Sequence, residues 1–548
     1  MALHFTSPGT PRGRVGLAAG ALAVSALLLA GCAGGGDTGG STGGAASGPI
    51  IVGTTDKVTT LDPAGSYDNG SLAVQTQVFP YLVNTDYNST EVVPDLAESA
   101  EFTAPNEYTV KLPAGLKWAN GHDLTSSDVK FSFDRNIKIA DPNGASSLLY
   151  NLDSVETPDA TTVVFKLKTD NDQVFPFILT SFPGAIVDEE VFSADAVTPD
   201  QDIVTADAFG GPYAITKWDF NKTVEFTPNA NYKGLLPAAV NSGVVMSYFA
   251  ESSNLKLAVQ QGDVDVAYRS LSSTDVADLS GNDKVKVVEG PGGEIRYIVF
   301  NFNTQPFGAT TAEADPAKAL AVRQAVADLI DRKTISEQVY KGTYTPLYSY
   351  VPSGFAGATD ALKGLYGDGA GGPSADKAKA TLAAAGVTTP VSLSLQYSPD
   401  HYGPSSGDEY ALVKQQLEKD GLFTVDLQST EWVQYSKDRT ADVYPAYQLG
   451  WFPDYSDADN YLTPFFLEKN FLGNHYVNPE VNDLILKQAV EPDAATRTAD
   501  IEKIQALVAG DLSTVPLLQG AQVAVTGADV TGVTLDASFK LRFAPITK

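Results

Sequence analysis

Only one cysteine, Cys32, occurs among 548 residues, so no intrachain disulfide can close any part of this chain. Whatever it folds into must be held by buried apolar side chains. At roughly 100 to 200 residues per domain the length allows about three domains, large enough to bury cores that need no covalent staple. The supply is adequate, with 43% apolar and 10% aromatic residues. Charge narrows the partners: 66 Asp+Glu against 37 Lys+Arg give a net −29. Nucleic acids, polyanions and anionic lipid headgroups are bound through clustered Lys and Arg, and no basic block is present, so no nucleic-acid partner is expected.

The position of that cysteine carries a second message. Arg12 and Arg14 precede an apolar stretch over residues 15–30 that ends in Leu29, Ala30, Gly31 and Cys32. A short positive region followed by a short Ala/Leu/Gly stretch reads as a secretory signal, too short for a comfortable membrane span of about 20 residues. No later segment is a spanning candidate. The four residues ending at Cys32 resemble the lipobox of bacterial lipoproteins, which implies cleavage after residue 31 and lipidation of the Cys32 thiol. A plain secreted protein with an incidental cysteine is the alternative. Several acyl chains anchor stably where one binds only marginally. Residues 33–48, AGGGDTGGSTGGAASG, hold no apolar side chain larger than Ala. Sixteen such residues make a flexible tether with a reach of about 20 to 24 Å.

The body alternates two periodicities. Strand patterns fall near residues 50–52, 108–112, 162–167, 224–226, 296–301 and 391–397. Helices are announced by their caps: Asp315 before Pro316, Ser374 with Gly386 as a left-handed stop, and Asn478 before Pro479. Two more are marked by Leu412, Val413 and Leu417 before Gly421, and by Ile501, Ile504 and Val508. Helices concentrate after residue 300 and strands before it, which predicts an α/β fold in at least two lobes without an internal repeat.

Enzyme motifs are sparse. Residues 367–372 match G-x-G-x-x-G, but a dinucleotide fingerprint must follow a strand and the preceding ATDALKGLY is not one, so a loop is expected. Gly403, Ser405 and Gly407 match G-x-S-x-G, and Asp454 or Asp457 followed by His475 would supply a hydrolase order. Five residues separate the strand from Gly403, however, whereas a nucleophile elbow turns directly off a strand end. A secreted serine hydrolase using Ser405 is therefore kept only as a remote alternative. Three histidines outside the signal, His122, His401 and His475, are scattered, so no metal site and no cofactor is expected.

The segment FPDYSDADNY places Asp454, Asp457 and Asp459 beside Trp451, Phe452, Tyr455 and Tyr461. A calcium loop of the EF-hand type would need a later Gly and Glu that are missing. Either this is a solvated acidic turn with helix-capping aspartates, or one carboxylate receives a cation between aromatic walls, where low dielectric strengthens a charge-assisted hydrogen bond.

Residues 108–135, YTVKLPAGLKWANGHDLTSSDVKFSFDR, resemble the signature of the family 5 extracellular solute-binding proteins, the peptide-binding subunits of ABC importers. Other segments fall in that family's order: Leu61-Asp62-Pro63, residues 94–99, Gly211-Pro212-Tyr213 with Trp218, residues 257–267, Val322-Arg323-Gln324-Ala325, and Gly450-Trp451. The resemblance spans nearly all of residues 50–520. It implies a two-lobed periplasmic-binding-protein-like fold (class II, cluster C) with an extra subdomain inserted in lobe 1. Lobe 1 is expected at 50–295, with the insert at about 80–210, lobe 2 at 296–514 and a return at 515–548. The crossings are expected near Arg296 to Asn303 and Ser513 to Leu517. It also implies that Asp454, in Gly450-Trp451-Phe452-Pro453-Asp454, pairs with a peptide's α-ammonium while Gly450 and Phe452 offer main-chain groups. Tyr67 and Asn69 are expected opposite, with Asn301 at the first crossing. The expected protein is a monomeric, lipid-anchored receptor on the outer face of the membrane. It would hand oligopeptides or dipeptides to ABC permease subunits without chemistry. An oligosaccharide receptor of the same family is the alternative, since 25 Phe and 24 Tyr could supply stacking platforms.

Overall fold

The computed structural model describes residues 48–536 and 538–548; the secretory segment, Cys32 and the tether up to Ser47 lie outside the described residues. Two mixed sheets organise the body. The first has seven strands in the order Val285–Gly290, Gln522–Gly527, Val266–Tyr268, Ile50–Thr54, Val244–Tyr248, Thr223–Pro228 and Tyr213–Asp219. Its centre is parallel, Ile50–Thr54 pairing with Val244–Tyr248 and Val266–Tyr268, and its flanks are antiparallel. The second has six strands in the order Tyr344–Pro346, Thr514–Gly520, Ile295–Phe300, Ala446–Trp451, Val391–Tyr397 and Phe423–Ser429. Each sheet packs into its own core, one around Val52, Val224 and Phe543 and the other around Val299, Tyr410 and Leu517. This is the two-lobed class II α/β architecture.

A four-stranded antiparallel sheet, Ser99–Ala104, Glu107–Lys111, Thr162–Leu167 and Leu152–Asp159, carries a third core with Trp118 and Phe133 fully buried. Its helix Ser126–Ile139 starts with a capping box in which Thr125 and Asp128 satisfy each other's backbone amides. The signature region serves here as packing and turns. Gly210 is required here because a Cβ would strike the Trp118 ring at 2.7 Å. The same element ties back to lobe 1: Arg135 donates to both oxygens of buried Asp62, at 2.9 and 2.8 Å.

The chain changes lobe earlier and later than the sequence suggested. Ile295–Phe300 and Thr514–Gly520 are buried along their whole length in the centre of the second sheet. An apolar run covered on both faces is a central strand and not a hinge. The crossings are residues 291–294 and Ala521, and they are bonded to each other. Gly520 N donates to Glu294 O at 2.8 Å and Gln522 Nε2 to Pro291 O at 2.8 Å. A Cβ on Gly292 would lie 1.5 Å from Gly520 O, so only glycine lets the two strands pass.

Helix starts follow local chemistry. Asp315, Ser374 and Asn478 each accept from backbone amides of the first turn, and Gly386 sits at φ 67°. Among the described residues no helix is long and apolar enough to cross a membrane.

Candidate functional site

Strand Ala446–Trp451 runs down lobe 2 to the cleft and ends where Phe452 and Pro453 begin a turn. Pro453 has no N–H to continue a ladder, so the chain leaves the sheet there and presents Asp454 to the space between the lobes. The turn is fastened by Asn460. Its Oδ1 accepts from Trp451 Nε1 at 2.9 Å and Asp454 N at 2.8 Å, while its Nδ2 donates to Asp454 Oδ2 at 3.0 Å. Across the cleft, segment 62–69 of lobe 1 carries Tyr67, whose hydroxyl donates to Asp454 Oδ1 at 2.5 Å. Asp68 caps helix Asn69–Val78 through Ser71 N, which sets Asn69 at the cleft wall.

The resulting cleft has a volume of about 460 Å³ and is walled by Phe182, His401, Tyr402, Trp432, Trp451 and Phe471, besides the residues just named. His401 lies flat on Trp432, with ring centroids 3.6 Å apart and planes within 3°. Burial pushes the His401 imidazole down to about 4, against the opposing pull of Asp400, so the ring is neutral near pH 7. Among the described residues no Lys or Arg lines this cleft; its charged side chains are Asp68 and Asp454. Burial raises the Asp454 carboxyl above the usual carboxylate range although Tyr67 and Asn460 donate to it. A half-buried carboxylate held only by neutral donors has room for a counter-ion, and a ligand cation would supply one.

The three aspartates of the acidic run have different fates. Asp457 is held by Arg497 in a two-pronged ion pair at 2.8 and 2.6 Å. Asp459 is buried, raised to about 6 by desolvation, and bonded to Thr463, Tyr455 and Gln488 inside the turn. Of the three, Asp454 is the one that faces the cleft. Among the described residues no group of three or more His, Cys, Asp or Glu is placed to hold a metal ion.

The structure gathers Tyr67, Asn69, Gly450, Trp451, Phe452 and Asp454 on one cleft. Asn301 is not among them. It is fully buried past the opposite end of Ile295–Phe300, about 20 Å from Ile295 at roughly 3.4 Å per residue. Its amide donates to Asp442 at 2.7 Å and its Oδ1 accepts from Asn303 N and Thr304 N, so it closes a turn. Gly450 lies in the ladder opposite Arg296 and its carbonyl accepts from the Tyr297 hydroxyl at 3.4 Å, which leaves Phe452 as the residue beyond the ladder. Ser405 sits at the start of helix Ser406–Glu418, away from any strand end. His475 bonds to Asp442 at 2.7 Å and Asp457 to Arg497, so the hydrolase order is spent on separate contacts. Arg269, which lies across Phe452 from lobe 1, gave no signal in the sequence.

Two lobes, two crossings and a ligand-sized cleft between them define a solute-binding fold. The family described as bacterial extracellular solute-binding proteins, family 5 Middle, matches residues 91–473. The chain belongs to that family, whose members bind solutes outside the cytoplasm. A probable D,D-dipeptide-binding periplasmic protein of Escherichia coli, DdpA, is 26% identical over 485 residues, covering 86% of this chain and 88% of that protein. A dipeptide-binding protein of the same organism is 24% identical, covering 73% and 74%. Among solved structures, the periplasmic binding protein DppA from Helicobacter pylori in complex with the peptide STSA superposes with a TM-score of 0.72 at 20% identity, over 91% of this chain and 98% of that one.

Proposed function

We propose that this protein captures short peptides by their free amino terminus outside the membrane, delivers them to an ABC permease and performs no chemistry on them. The observation that carries this reading is Asp454: a carboxylate raised by burial, held by a phenol and an amide, facing a cleft lined by no described Lys or Arg. A peptide α-ammonium supplies the missing charge and the donors. The free main chain at Phe452 suits strand-like pairing with an extended ligand, which holds peptides without reading side chains. Family membership and the dipeptide-binding names of the two Escherichia coli relatives support the same cargo.

Calorimetry tests it. Free peptides should bind, their N-acetyl forms should not, and Asp454→Asn should cost about 2 to 5 kcal/mol, roughly 30-fold or more in affinity. Equal binding of acetylated and free peptides would refute the reading. A second reading, an oligosaccharide receptor, is favoured by the flat His401–Trp432 pair, a platform of the size that stacks on a sugar ring; mass spectrometry of ligand released on denaturation separates the two. Lipid anchoring at Cys32 belongs to the same proposal. Cys32→Ser should move the protein from the membrane fraction to the medium or periplasm.

A further inference from the structure

The four-stranded subdomain touches lobe 2 at a place that no ligand contact requires. Among the described residues every buried member of its core lies between Leu82 and Ile186 except Tyr455, which belongs to lobe 2 and is 8% exposed. Ala489, at the end of helix Pro479–Gln488, packs on the same core. A main-chain bond fastens the contact, Gln173 N donating to Ala489 O at 2.8 Å. Tyr455 directly follows Asp454, yet Asp454 lines the cleft while Tyr455, Gln173 and Ala489 do not.

Both halves of the contact are pre-organised. In the subdomain, Asp172 Oδ1 accepts from Val174 N at 2.8 Å and Phe175 N at 3.1 Å, and the Asn151 amide donates to its other oxygen at 2.6 Å. That turn uses the two amides after Gln173 and leaves the Gln173 N–H for lobe 2. In lobe 2 the Tyr455 hydroxyl donates to Asp459 Oδ2 at 3.2 Å, and Gln488, the residue before Ala489, donates to Asp459 Oδ1. Arg497 donates from Nε to Gln488 O at 3.1 Å while its terminal nitrogens hold Asp457. Tyr455 and Ala489 are therefore carried by one cross-linked unit and move as a pair when the lobes move. A ring and a main-chain hydrogen bond that meet a pre-shaped partner lose little freedom on docking, so their gain goes into holding the two bodies together.

We propose that the subdomain is a latch: Tyr455 and Ala489 seat on it when the lobes close, and this contact, outside the ligand cleft, holds the closed form. It sets how long cargo stays enclosed, because lobes joined by two short crossings open by rotation about them and the latch must part first. The proposal goes beyond the amino-terminal reading and does not rest on it, since Gln173, Tyr455 and Ala489 lie off the cleft.

The test uses the purified protein in ligand-free buffer and two measurements. Residue-resolved hydrogen exchange on the wild type reads the Gln173 amide, which should exchange at least about tenfold more slowly than an open amide. Small-angle scattering reads the lobes, and both Tyr455→Ala and Ala489→Arg should show a larger radius of gyration than the wild type. Ala489→Arg wedges the contact from a half-buried helix end and hollows no core, and in it the Gln173 amide should exchange as an open one. A wild-type Gln173 amide that exchanges freely, or variants that scatter like the wild type, overturns the proposal. The exchange measurement needs no variant, so a misfolded Tyr455→Ala does not shield it. Acetylated peptides that bind as well as free ones would remove the Asp454 reading and leave this result untouched.

Discussion

Replacing Asp62 with alanine should destabilise lobe 1 by about 3 to 5 kcal/mol, because it leaves a buried guanidinium without its anion. Both partners are out of water, with side-chain exposures of 2% for Arg135 and 0% for Asp62. The pair is geometrically complete: two parallel bonds join them, and Arg135 also donates to Ser193 O at 2.9 Å and Ala196 O at 3.1 Å. The rings of Phe131 and Phe192 flank the guanidinium, at 5.9 and 5.4 Å from its carbon. Asp62 further accepts from Ala64 N at 2.9 Å and Thr198 N at 2.6 Å, so two backbone amides are orphaned as well. For a lobe of roughly 250 residues this loss lowers the melting temperature by about 10 °C. Scanning calorimetry on the protein and on Asp62→Ala measures it. The joint replacement Asp62→Leu with Arg135→Met should recover part of the loss, since a well-packed apolar pair is often no worse than an ion pair. A single mutant within about 1 kcal/mol of wild type would refute the reasoning. The segment pinned by Asp62 carries Tyr67 and Asn69 into the cleft, so peptide affinity should fall with stability.

Three further outcomes follow from groups already described. Asp454 has its carboxyl raised by burial, and an ammonium ligand binds the ionised form; affinity for free peptides should therefore decline as pH falls through that raised range, while Asp454→Asn shows a flat profile, both read by calorimetry between about pH 7 and 4. Lys540 is buried against the Tyr81 ring and lowered from 10.5 to about 7 by desolvation and by Arg542. Between about 7 and 10.5 the unfolded chain holds a proton that the folded one has released, so urea stability should rise with pH across that window and Lys540→Met should flatten the slope. A Cβ on Gly450 would lie 2.9 Å from the Tyr402 ring and 3.2 Å from Ile295 O, so Gly450→Ala should displace Tyr402 and weaken ligand binding several-fold, with partial recovery when Tyr402→Leu is added.

How much of this was legible depends on the range of the forces involved. Caps at Asp315, Ser374 and Asn478 are set by residues within one turn, and all three were readable. The Leu61-Asp62-Pro63 and Phe133-Asp134-Arg135 segments were recognisable as separate motifs, but nothing in a spacing of 73 residues says that one carboxylate and one guanidinium meet. The acidic run illustrates the same limit. By spacing alone the three aspartates within six positions look equivalent and only the resemblance singles out Asp454; in the fold Arg497 and Gln488, which arrive from helices 40 and 29 residues downstream, occupy Asp457 and Asp459 and leave Asp454 to the cleft. Asn301 failed for the opposite reason. An apolar strand bounded by polar residues reads alike from either end, and only the sheet order decides which end meets the cleft. Arg269 had no local mark at all, since its place across Phe452 comes with a left-handed backbone whose amide is held by Val523, on a strand near the other end of the chain. Distant contacts thus decide which of several chemically equal side chains faces the ligand.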